Sequence, residues 1–115
     1  MYQHSYAEEL AENPNECRAR ERMALEHAIQ LLDTAKREGP QSRAAVEALD
    51  FVSQLWNAFI HDLIEPGNDL PSVLRADLIS VGLWITKEAA LIRCGKSGNF
   101  DALIEVCSMI RNGLR

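Results

Sequence analysis

All four prolines and five of the six glycines of this chain fall where long helical patterns begin or end, so its fold is constrained first by punctuation. Asn13-Pro14-Asn15-Glu16 opens the first pattern. Asn13 is placed to cap, Pro14 suits a first helical position, and Glu16 sits where a capping box wants an acid. Gly39-Pro40 closes that segment, and a second runs from about Ser42 to Ile64 before Pro66-Gly67-Asn68-Asp69 breaks the chain. Leu70-Pro71 starts a third, with Pro71 expected in its first turn, and it continues to about Cys94. Gly95-Lys96-Ser97-Gly98-Asn99 is a loop whose Asn99 is placed to cap a fourth, with Gly113 at its fraying end.

Apolar spacing within the segments is helical. In the first, Cys17, Ala24, Leu25, Ala28, Ile29, Leu32 and Ala35 recur at three- and four-residue steps. In the second, Ala45, Leu49, Val52, Trp56, Phe59, Ile60 and Leu63 form the main face. Arg43, Glu47, Asp50, Gln54, Asn57, His61 and Glu65 form its narrow polar strip, and Phe51, Leu55 and Ala58 widen the apolar surface. The third is apolar nearly all round. Leu74, Leu78, Val81, Ile85, Ala89 and Ile92 make one face; Ile79, Leu83 and Ala90 lie roughly opposite, and Val73, Trp84 and Leu91 form a flank. Phe100, Leu103, Ile104, Cys107, Ile110 and Leu114 stripe the fourth. With short connections, this predicts an all-α fold: a small antiparallel bundle of about four helices spanning residues 1–115 as one domain, preceded by a short N-terminal segment in which Ser5 and Glu8 match a capping box.

Gly82 is the one glycine inside a pattern, where it costs up to ~1 kcal/mol relative to Ala. Counting at about 1.5 Å per residue from the Glu65–Pro71 turn puts it nearly level with Trp56. Close approach of the second helix, or of the Trp56 ring, is its expected purpose.

Composition narrows the function. The 115 residues carry 12 Lys+Arg against 17 Asp+Glu, a net charge of −5, which counts against nucleic acid as the main partner. Arg18, Arg20 and Arg22 are interleaved with Glu16, Glu21 and Glu26, the pattern of a solvated mixed-charge face. No apolar run is long enough for a membrane span, no secretory signal is visible, and three cysteines at unpatterned spacings fit a cytoplasmic protein.

Chemistry is sparse. His4, His27 and His61 lack helical metal-site spacing, adjacent His61-Asp62 point in different directions, and no serine sits in a nucleophile elbow. Gly95-Lys96-Ser97 resembles the end of a phosphate-binding loop, but Ala90 stands where that motif requires Gly and a helix precedes it. The expectation is a protein that is not an enzyme and needs no cofactor or metal. What is in excess is apolar surface on the second and third helices. Either both are central, with Tyr2 and Tyr6 covering a flank, or a surface around Ile79, Leu83 and Phe51 receives a partner's amphipathic helix or a second copy.

The order of several motifs resembles the FlaF family of flagellar biosynthesis regulators. They are Tyr2-Gln3, Ser5-Tyr6, Arg18-Ala19-Arg20-Glu21-Arg22, Ala48-Leu49 and Leu55-Trp56, then Asn68-Asp69-Leu70-Pro71, Leu74-Arg75-Ala76 and Leu78-Ile79-Ser80-Val81-Gly82-Leu83-Trp84. Ile92-Arg93, Gly95-Lys96-Ser97, Asn99-Phe100, Leu103-Ile104-Glu105 and Ile110-Arg111 complete the series. Cys107 is the main departure, at a position where a polar residue is usual, and is expected to alter only a local surface contact.

The resemblance implies a small cytoplasmic helical protein that promotes flagellin synthesis and secretion, opposes the regulator FlbT, and binds flagellin as an export chaperone. With the surplus apolar surface, it implies a flagellin terminal helix docked on the third helix, with Ile79, Leu83 and Trp84 as anchors and Leu70 and Arg75 positioning one end. The alternative role is post-transcriptional, through FlbT or the flagellin message, and a homo-oligomer would also cover the surplus.

Overall fold

The computed structural model describes the backbone of residues 14–113 and the side chains of residues 17–113. Four helices occupy most of it: α1 (Pro14–Glu38), α2 (Arg43–Ile64), α3 (Ser72–Arg93) and α4 (Phe100–Gly113). No strand occurs among the described residues, so the all-α expectation holds. The Asn13 cap, the Ser5–Glu8 box, Tyr2, Tyr6 and Leu114 lie outside them.

Local chemistry sets the helix ends. Gly39, at φ +102°, donates its N–H to the Ala35 carbonyl at 2.8 Å. Gly95, at φ +77°, donates to the Ile92 carbonyl at 3.0 Å while the Lys96 N–H reaches the Leu91 carbonyl at 2.9 Å. Both are left-handed endings that favour glycine. Gly95-Lys96-Ser97 is therefore a helix terminator. Ser97 Oγ donates to Glu88 Oε2 at 2.7 Å and accepts from the Asn99 N–H at 3.2 Å. Asn99 Oδ1 then caps α4 through the Ala102 N–H at 3.2 Å, and Ser42 Oγ caps α2 through the Ala45 N–H at 3.1 Å. Pro71 precedes α3 rather than lying in its first turn, and its carbonyl accepts from the Arg75 N–H at 2.9 Å.

The predicted stripes meet in one core. Trp56, Leu25, Leu32, Leu49, Ile85, Ile92 and Leu103 are its largest fully buried side chains, and every residue named for the polar strip of α2 is exposed. Two expectations need correction. Leu74, placed on one face of α3 with Ile85, Ala89 and Ile92, is 43% exposed while those three are buried. Cys107, expected to affect only a local surface contact, is fully buried beside Trp56. Burial pushes its thiol pKa up, and the neighbouring indole partly offsets this.

Gly82 does what its depth implied. A Cβ there would meet Ile60 Cγ1 at 2.8 Å, Ile60 Cδ1 at 2.9 Å and Trp56 Cε3 at 3.0 Å, so only glycine lets α3 settle this closely on α2. The helices form an incomplete ring in which α3 packs on α2, α2 on α1 and α1 on α4. Ion pairs of Lys36 with Asp101 at 2.7 Å and Arg111 with Glu26 at 2.9 Å run α4 antiparallel to α1. The closing contact, between α3 and α4, is much the thinnest.

Candidate partner-docking seam

Two hollows lie along that thin contact. At the end where α1 begins, Trp56, Phe59, Leu63, Leu70, Leu78 and Ile110 surround an apolar hollow of about 120 Å³, with Glu21, Asp62 and Asn68 completing its lining. It is comparable to the ~150 Å³ cavity that accepts a benzene ring, hence room for one large apolar side chain. Farther along, Ser80, Val81, Trp84 and Val106 line a second, more open depression. Both draw walls from α3 and α4, so together they mark a discontinuous apolar seam.

The walls of the first hollow are fixed from behind. Trp56 and Phe59 pack edge to face with centroids 5.2 Å apart, which holds both rings in place. Trp56 is 1% exposed, and its indole lies against the buried Cys107 thiol. Asn68 sets the turn that presents Leu70: its Oδ1 accepts from the Leu70 N–H at 3.0 Å and its Nδ2 donates to the Asp62 carbonyl at 3.2 Å. The Glu21 carboxyl is raised above its ordinary value, first by burial, then by the like charge of Asp62, with Arg18 opposing.

The five residues singled out on the sequence do not share one surface. Leu70 lines the first hollow and Trp84 the second. Arg75, Ile79 and Leu83 stand four residues apart and form a separate stripe of α3, since Leu83 and Trp84 are about 100° apart around the axis. Arg75 and Ile79 are half-buried, Arg75 with its Nε unpartnered among the described residues, and Leu83 is 57% exposed. Phe51 is not on that stripe either; it packs edge to face on His27 of α1, centroids 4.9 Å apart. As walls of one site, the acidic pair of Glu21 and Asp62 together with Ile110 and Val106 were not singled out on the sequence. Counting back from the Gly39-Pro40 turn would have brought Glu21, 18 residues before Gly39, level with the last turns of α2, where Asp62 stands 22 after Pro40.

The family model for the flagellar protein FlaF matches residues 2–114. The chain belongs to the FlaF family. No curated protein and no solved structure matches it. Membership makes this FlaF chain a flagellar protein, and the stretch Leu78 through Trp84 of α3 contributes to both hollows. No helix among the described residues of this FlaF chain is long and apolar enough to cross a membrane.

Proposed function

We propose that this flagellar protein is a cytoplasmic, non-catalytic binding protein for flagellin that lays a terminal amphipathic helix of flagellin along the α3–α4 seam. One observation carries this reading. Of nine large apolar side chains left exposed among the described residues, five lie on α3 or its lead-in, and two of these, Leu70 and Trp84, line the hollows beside the thin α3–α4 contact. Apolar surface concentrated beside a groove is the arrangement that receives a partner's apolar helix face. Flagellin segments that need cover before assembly are such a partner, and holding them links export to synthesis. Leu70 and Trp84 serve as anchors in the seam, joined by Leu78; Ile79, Leu83 and Arg75 border it from the far flank of α3.

The test is size exclusion with light scattering of the full chain mixed with monomeric flagellin from the same organism. The wild type is expected to co-elute with flagellin, Trp84→Asp to lose the complex, and Leu83→Asp to keep it. Absence of any complex contradicts the reading and turns attention to FlbT or the flagellin message.

A further inference from the structure

The first hollow is apolar at its base and acidic at its edge, and nothing in the fold described above uses the acids. Glu21 comes from α1 and Asp62 from the last turn of α2, and they approach closely enough for their like charges to interact. Neither makes an ion pair within 4 Å among the described residues, although Arg18, on the same helix as Glu21, partly relieves it. Two carboxylates held together beside an apolar wall are a poor arrangement for the free protein and a favourable one around a cation.

Resting on the docking reading above, we propose that this hollow selects a client helix bearing a Lys or Arg about one turn from its apolar anchor. The anchor side chain fills the space between Leu70, Leu78 and Ile110, and the cation lies against Glu21 and Asp62. Residues 1–13 of the chain are not the occupant that the charges favour: they contain Glu8, Glu9 and Glu12 and neither Lys nor Arg. The acidic edge thus gives a specificity that an apolar groove alone lacks, because it repels a helix carrying an acid at that position.

Two synthetic amphipathic helices of about 18 residues with one leucine face, differing only by Lys or Glu one turn from the central leucine, test this by calorimetric titration of the full chain. The Lys peptide is expected to bind at least about tenfold tighter than the Glu peptide. The double variant Glu21→Lys, Asp62→Lys is expected to reverse that order, and added salt to narrow it. Equal affinities, or no binding of either peptide, overturn the proposal. So does a wild type that is already a dimer by light scattering and becomes monomeric in the double variant, since a second copy then occupies the hollow.

Flagellin itself separates this claim from the one it rests on. If monomeric flagellin binds wild type and the neutral double variant Glu21→Gln, Asp62→Asn alike, the cation selection fails and the seam stands. If flagellin does not bind while the Lys peptide does, the seam's selectivity stands and flagellin is the wrong client.

Discussion

At Gly82 helix propensity and packing pull in opposite directions. Alanine would gain up to ~1 kcal/mol of propensity, yet its Cβ would press on Ile60 Cγ1 at 2.8 Å and on the Trp56 ring at 3.0 Å. Overpacking of this kind costs about 1–3 kcal/mol, so Gly82→Ala should destabilise by about 1 kcal/mol net and lower Tm by roughly 4–8 °C. Gly98→Ala, with nothing within 4 Å, should stay within about 0.5 kcal/mol of wild type in the same thermal melts. Glu21 gives a prediction of the other sign. Because its folded pKa is raised above 4.5, the folded state holds more protons than the unfolded one over the pH range just above that value. Stability is therefore lost as pH rises through that range. Discounted for a half-exposed group, Glu21→Gln should raise Tm at neutral pH by roughly 2–4 °C, with the two proteins converging well below pH 4.5. A variant no more stable than wild type at neutral pH would mean that neither burial nor the Asp62 charge strains the Glu21 carboxylate in the folded state.

At the scale of elements, most of the helix boundaries were legible because each is written in residues with one physical role. Proline cannot continue a ladder, glycine tolerates positive φ, and Ser42 and Asn99 accept from N–H groups their helices leave open. Gly95→Ala should accordingly cost about 1 kcal/mol in urea unfolding, since alanine at φ +77° must adopt a left-handed backbone. An unchanged midpoint would show that the end of α3 relaxes to another geometry. The surplus of α3 was legible, but its division was not. Periodicity alone cannot say which flank of an all-round apolar helix a neighbour covers, and Ile85 and Ile92 are buried while Leu74, Leu83 and Trp84 stay exposed through the placement of α2 and α4.

At the scale of the molecule, the decisive feature is that the ring of four helices closes firmly at three contacts and barely at the fourth. That property belongs to no single segment, which is why the hollows between Leu70, Leu78, Ile110, Trp84 and Val106 could not be read from spacing, whereas the buried role of Gly82 could. Family membership covers residues 2–114 and identifies a flagellar protein, and the open seam is the feature on which the proposed docking of an amphipathic client rests. The measurement that tests this most directly is a methyl NMR spectrum of the full chain, labelled at Ile, Leu and Val, with and without monomeric flagellin. Leu78, Val81, Val106 and Ile110 are expected to shift or broaden while the distant Val46 does not. Perturbation confined to Ile79, Leu83 and the outer face of α2, with the seam methyls unmoved, would contradict it.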